Sequence, residues 1–506
     1  MSLFRIKPID RILAEGADTK HGLKRSLGKW QLTAMGVGAI IGTGIFVLTG
    51  VASATRAGPS LTLSFVVAGI VSVFAALCYA EVSSKVPISG SAYTYTYAAL
   101  GEFFAWIIGW GLVLEYALGA ATVSVGWSGY FMRIWNQITP WHIPTVWANG
   151  PTWGLVGAGQ AGYANLPAAG IILLVMLLLA KGTRESGLVN AIIVTFKVCV
   201  VLFFIAMGVQ HVNPANWHLP AGPLTHAGGY FPFGITGMLG GAAFMFFAYI
   251  GFDAVSTTAE EAKDPARDLP FGIIVSLAIC TVLYIIVAAL LDGMVPFYKL
   301  NTPAPVADAM RYVGLIWASL VVSFGAIAGL TTVLLVMMFG QIRIWFSMSR
   351  DGLIPPAFTR IHPRFRTPLT STIFFGICIA IVAAFTPINM LASLTNMGTL
   401  SAFTLVAISL WFLRWRYPNI KGKFQLPLGR FGVFFIPLFS AVSALFLIYF
   451  LRFGNPDLFG IPIVWFCYAV WLIIGLVFYF SYGARKSNLA TGRTTAAARL
   501  ENVEPS

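Results

Sequence analysis

Apolar residues in this chain gather into long runs separated by short polar stretches. There are roughly twelve such runs of about 20 residues, the length of a helix that crosses the hydrocarbon core of a bilayer. They lie near 31–54, 60–84, 100–132, 165–181, 188–209, 233–258, 271–292, 312–348, 369–385, 389–414, 431–452 and 461–482. The third and eighth are the longest, so they are expected to tilt or to project from the membrane. The first and sixth are interrupted, by Ile41-Gly42-Thr43-Gly44-Ile45 and by Tyr249-Ile250-Gly251-Phe252-Asp253. In hydrocarbon no water satisfies a freed N–H or C=O, so a break survives only where it lines a cavity or holds a ligand. Two breaks at corresponding places in two halves of a chain point to a midplane binding site.

This pattern predicts an all-α integral membrane protein. Each broken run opens a set of five, and an odd number of spans per set leaves the two copies inverted in the membrane. The expected organisation is a tail over 1–29, a five-plus-five core over 30–414, two additional spans over 415–482 and a disordered tail over 483–506. Apolar residues are 58% of the chain, charged residues only 10%, and the mean hydropathy is +0.81, which excludes an ordinary soluble domain.

The net charge of +14 suggests an acidic partner until its distribution is counted. With the N-terminus placed inside, 26 of the 32 Lys and Arg fall on the inner side and 5 on the outer, with Lys197 in a span. That asymmetry is the positive-inside rule. It predicts cytoplasmic termini, contacts with lipid and no nucleic-acid partner, and the absence of any Asn-x-Ser/Thr sequon fits a bacterial inner membrane. The first 29 residues carry no apolar stretch, so no cleaved signal peptide is expected. The five cysteines lie in apolar runs and read as small hydrophobes. His211, His218 and His226 on one outer loop are irregularly spaced and lack Cys or carboxylate partners, so no metal or cofactor is expected.

The breaks carry the candidate chemistry. Unwinding at Gly42, Thr43 and Gly44 exposes the amide end of the following half-helix, which suits a carboxylate, and the Thr43 hydroxyl adds a donor. Carbonyls near Ile40 and Ile41 suit an ammonium, and those around Phe247, Ala248 and Ile250 complete the cage. Together they describe a site for an α-amino acid. Glu115, deep in the third run, either lines the pocket and neutralises a cationic substrate or packs in its protonated form. Glu81 and Glu102 are expected to bond backbone near the inner loop, and Asp253 to cap the half-helix after the second break. No His-Glu-x-x-His, Gly-x-Ser-x-Gly or Walker motif occurs, which argues against an intramembrane enzyme and against an ATP-driven pump.

Phe246 to Pro270, with its Glu260-Glu261-Ala262-Lys263-Asp264-Pro265, resembles the amino acid–polyamine–organocation superfamily and, within it, bacterial members of the cationic amino acid transporter family. The glycines of the first run, Pro87 to Tyr95 and Ser347 to Leu353 support the likeness, which covers about residues 20 to 485. The resemblance implies a LeuT-like inverted repeat with helices 1 and 6 unwound at the midplane. It also implies a role for Lys197, since proton-coupled relatives carry a helix-5 lysine where sodium-coupled ones bind an ion. A lone ammonium at depth costs at least ~2.5–3.5 kcal/mol, so Lys197 is expected to be paired, deprotonated or functional. Its ammonium is expected on helix-1 and helix-8 carbonyls. In the family the stretch around Met337 and Met338 faces the substrate side chain, and a bulky Met337 argues for a small neutral substrate. The function expected is secondary active transport of a small neutral or cationic amino acid by proton symport and alternating access. An amino acid or polyamine exchanger is the alternative, and a channel or sensor is a more distant one.

Overall fold

The structure, a computed structural model, describes residues 5–9, 27–86, 91–153, 161–182, 187–220, 225, 228–365, 367–420 and 422–492. Pro87 to Gly90 and His226, singled out above, lie outside these residues, as do 1–4, 10–26 and 493–506 of the two tails.

Helices occupy the segments that the hydropathy picks out. They are α1 (Lys29–Ile40), α2 (Leu61–Lys85), α3 (Glu102–Ile138), α4 (Leu166–Lys181), α5 (Gly187–Gly208), α6 (Gly234–Met245), α7 (Pro265–Met294), α8 (Ile316–Arg350), α9 (Leu369–Phe385), α10 (Ile388–Arg416), α11 (Gly429–Phe450) and α12 (Ile463–Phe478). Among the described residues nine helices are long and apolar enough to cross a membrane, while α4 and α9 are apolar but shorter. A two-residue antiparallel pairing, Asp457–Leu458 with Ile461–Pro462, turns the chain between α11 and α12.

Both interrupted runs are interrupted in space. After α1 the chain crosses Ile41 and Gly42 and resumes at Thr43, running through wide turns at Gly44–Leu48 and Ser53–Ala57. After α6 it tightens into a 3₁₀ turn over Phe246–Tyr249, passes an extended Ile250 and a left-handed Gly251, and coils again over Asp253–Glu261. Gly251 is at φ +119°, and a Cβ there would stand 2.9 Å from the Ala39 carbonyl carbon and oxygen. Glycine is thus required twice at this position, for the backbone angle and for the approach of the two breaks.

The core is one continuous apolar cluster, with Tyr79, Tyr93, Tyr95, Tyr130, Tyr249 and Tyr284 fully buried within it. The helices α3 and α8 pack along each other and flank the breaks. Both described ends of the chain meet at one face. Lys7 pairs with Asp351 at 3.0 Å, Arg5 approaches Glu102 at 3.7 Å, and Asn488 N donates to Asp351 O. Glu81 and Glu102 differ from the backbone role expected of them. Glu81 is held by Arg414 and Lys85 and accepts one amide, from Leu426, while Glu102 collects hydroxyls from Tyr97, Tyr479 and Ser487. Side-chain donors reach these carboxylates because the end of α10 and the segment after α12 pack against α2 and α3 there.

Replacing Gly251 with Ala is expected to lower the melting temperature in detergent, since backbone strain of about 1–3 kcal/mol adds to the clash. Far-ultraviolet circular dichroism should remain that of a helical protein.

Candidate functional site

Main-chain bonding stops and restarts around the first break. The last bond of α1 runs from Ile41 N to Val37 O, and the next along the chain from Phe46 N to Gly42 O. Between them Gly42, Thr43, Gly44 and Ile45 donate to no main-chain acceptor. The buried Thr43 hydroxyl has no partner either. Four amides and a hydroxyl at the start of a helical segment form a cluster of donors, the arrangement that binds a carboxylate.

The carbonyls of α1 are already engaged. Lys197 Nζ, fully buried on α5, donates to Gly38 O at 2.5 Å and to Ile41 O at 3.2 Å. Tyr284 of α7 donates to Ile40 O at 2.8 Å. The lysine therefore sits on helix-1 carbonyls, and among the described residues no α8 carbonyl accepts from it. Its neighbour on α8 is Gly329, where a Cβ would lie 3.5 Å from the Lys197 Cβ. A methyl at 329 would rest in ordinary contact with the lysine stem. A carbonyl oxygen has two lone pairs, so Ile40 and Ile41 keep acceptor capacity for a further donor.

A small cavity of about 10 Å³, room for one water, lies between the two breaks. From α1 and its continuation it is lined by Ala39, Ile40, Gly42, Thr43 and Gly44, and from the second break by Phe247 and Ile250. Gly119 and Val123 of α3 and Val333 and Met337 of α8 close the remaining side. Seven of the ten positions assigned to the site from the sequence line this space. Ile41 stands behind it, with its carbonyl on Lys197. Ala248 packs directly on Gly44, whose missing Cβ lets the two breaks touch.

Glu115 does not line the cavity. Its side of α3 faces α10, where a Cβ on Gly398 would stand 3.7 Å from the Glu115 Cβ. Both carboxyl oxygens are buried without a hydrogen-bond partner. The next residue, Tyr116, donates to Asp253 Oδ2 at 3.2 Å, and Asp253 Oδ1 accepts from Gly251 N at 3.2 Å. Asp253 thus reaches back to the break from the first position of the coil that follows it.

Sequence reasoning missed several residues here. Ala39, Gly119, Val123 and Val333 carry no chemical signal in an apolar run. Asn396 of α10 did carry one, being an amide in mid-span, a type that usually faces the bundle interior. It donates to Ala243 O at 2.9 Å and to Phe244 O at 2.8 Å, just ahead of the second break. Tyr284 resembled the other aromatic residues of its run.

Known proteins bear on this arrangement. Residues 27–488 match the amino acid permease family model. The chain is 46% identical to the branched-chain amino acid permease BcaP of Bacillus subtilis and 42% identical to the methylthioribose transporter of the same organism. Each alignment covers 96% of this chain and 99% of the relative. It is also 38% identical to the vacuolar cationic amino acid transporter 4 of Arabidopsis thaliana, over 83% of this chain and 68% of that protein. With a family match across nearly the whole chain and two full-length relatives, the protein belongs to the amino acid permeases of the amino acid–polyamine–organocation superfamily and is a membrane transporter, not an enzyme.

Proposed function

We propose that this permease carries a small neutral L-amino acid into a bacterial cell by proton symport, through alternating access in a twelve-span, five-plus-five inverted-repeat fold. Both termini then lie in the cytoplasm, in keeping with the distribution of Lys and Arg and with the meeting of both described ends at one face.

One observation carries the coupling. The Lys197 ammonium, with no exposed surface, has its two hydrogen-bond acceptors on the broken helix that forms the substrate's carboxylate end. Protonated, it ties Gly38 and Ile41 together across the end of α1. Deprotonated, it offers fewer donors and no charge, and the tie weakens. A charged hydrogen bond contributes about 1.5–3 kcal/mol, so the proton biases the position of α1 by roughly tenfold or more.

The substrate class follows from the walls. Amides and Thr43 face the carboxylate, carbonyls near Ile40 and Phe247 face the ammonium, and Val123, Val333 and Met337 face the side chain. Among the described residues no carboxylate lines the space to meet a cationic side chain, which favours a neutral one. The cavity is smaller than any amino acid, so binding requires the walls to separate, as an alternating-access cycle does. Two full-length relatives are named for branched-chain amino acids and for methylthioribose, and these ligands belong beside alanine in the substrate panel.

The test is uptake into proteoliposomes under imposed pH or sodium gradients, using labelled alanine, leucine and arginine with methylthioribose as competitor. Neutral amino acids should accumulate with the pH gradient and be indifferent to sodium. Lys197→Gln should abolish gradient-driven accumulation while counterflow persists. Accumulation that needs sodium, or intact proton-driven accumulation in the variant, contradicts the mechanism. Thr43→Val should raise KM by about tenfold, the loss of one hydrogen bond to a carboxylate, with melting temperature little changed. Met337→Ala should shift the preference from alanine toward leucine, because one or two methylenes of room change selectivity by roughly 10- to 200-fold.

A further inference from the structure

The contacts of Asn396 have a counterpart in those of Lys197. The α-helical ladder of α1 ends at Val37 O, and the first carbonyl beyond it, Gly38 O, is taken by Lys197. The ladder of α6 ends where Phe246 N donates to Ala242 O, and the first carbonyl beyond it, Ala243 O, is taken by Asn396 together with Phe244 O. In both cases the donor is a side-chain nitrogen with no exposed surface. Among the twelve helices labelled above, Lys197 lies on the fourth after α1 and Asn396 on the fourth after α6. The separations along the chain are also alike, 159 residues from Gly38 to Lys197 and 153 from Ala243 to Asn396. The two carbonyl acceptors fix which way the Asn396 amide points, since only its NH₂ can donate to both. Its Oδ1 is buried with no hydrogen-bond partner, so the bonds to α6 are what hold the side chain in place.

We infer that Asn396 is the positioning residue of the second break, the non-titrating equivalent of Lys197 in the other half of the fold. This rests on the inverted-repeat reading proposed above. The difference between the two clasps is chemical. An ammonium can lose its proton and release its carbonyls, whereas an amide donates two N–H groups at every physiological pH. The α1 clasp therefore opens when the proton leaves, and the α6 clasp is a fixed pin. It holds the α6 carbonyls back from the cavity in both proton states, so the Phe247–Ile250 turn stays shaped for substrate throughout the cycle. A single titrating clasp also makes coupling asymmetric, with one half of the repeat sensing protons and the other not.

The experiment compares wild type, Asn396→Asp, Asn396→Ser, Lys197→Ala and Lys197→Gln in two measurements. Asp keeps the shape but puts oxygen where the carbonyls need a donor, and Ser keeps one donor in a smaller side chain. In hydrogen–deuterium exchange of the purified full chain, Asn396→Asp should raise exchange of the segment around residues 240–252 at least tenfold. It should leave the segment around residues 36–48 near wild type. Lys197→Ala, which leaves the α1 carbonyls without this donor, should show the reverse, and Asn396→Ser an intermediate rise that decides the matter if the Asp variant does not fold. In proteoliposome uptake of labelled alanine and leucine, the Asn396 variants should raise KM at least tenfold and keep the wild-type dependence on the pH gradient. Wild-type exchange around 240–252 in the folded Asn396 variants would overturn the inference, as would loss of pH dependence in them like that of Lys197→Gln. Wild-type uptake indifferent to the pH gradient would instead sink the coupling reading and leave the exchange result standing on its own.

Discussion

A peptide group released from a helix inside a membrane has no water to turn to, so the protein must supply its partner. This constraint organises the middle of the molecule. At the first break Lys197 and Tyr284 take the carbonyls of Gly38, Ile40 and Ile41, and at the second Asn396 takes those of Ala243 and Phe244. The partners come from α5, α7 and α10, so each break is tied to helices far away in sequence. The donors at the first break, the amides of Gly42 to Ile45 and the Thr43 hydroxyl, are left without such partners. Carbonyls satisfied and amides unsatisfied make a site that prefers a negative group, and Gly42, Thr43 and Gly44 line the cavity.

The rest of the fold can be understood as holding the two breaks in register. Gly44 and Gly251 remove the side chains that would keep the breaks apart. The walls come from α3 and α8, which place Gly119, Val123, Val333 and Met337 against the space between them. A second set of polar groups joins α3 to the second break, Glu115 and Tyr116 with Asp253, and Asp253 is bonded to the Gly251 amide of the break. Charged pairs are kept to the ends of the helices, where Glu81, Glu102 and Asp351 gather their partners. At depth stand Lys197, Asn396 and the carboxyls of Glu115 and Asp253, all buried.

Much of this was legible in the sequence, for reasons that differ by residue. The helical segments follow from the length of the apolar runs, and the breaks from Gly-Thr-Gly and Ile-Gly-Phe-Asp standing where a helix should continue. Lys197 stood out because a cation in an apolar run is costly. Glu115 stood out for the same reason, yet hydropathy gives no direction around a helix axis, and its side of α3 faces α10 instead of the cavity. Val123, Val333 and Gly119 are ordinary residues for such helices, and only packing gives them a role. Asn396 had a visible signal, an amide at depth, but its meaning depends on which carbonyls lie within its reach. The Glu81 and Glu102 partners, Arg414 and Ser487, are separated from them by hundreds of residues, a distance that no local pattern bridges.

The central claim is that unpaired main-chain amides at the first break bind the carboxylate of a zwitterion while remote side chains hold the carbonyls. An experimentally determined structure with a bound neutral amino acid tests it most directly. The account predicts the ligand carboxylate on the amides of Gly42 to Gly44 and on the Thr43 hydroxyl, with Asn396 still on Ala243 and Phe244. A ligand seated elsewhere, or α1 and α6 running unbroken past Gly42 and Gly251, would contradict it.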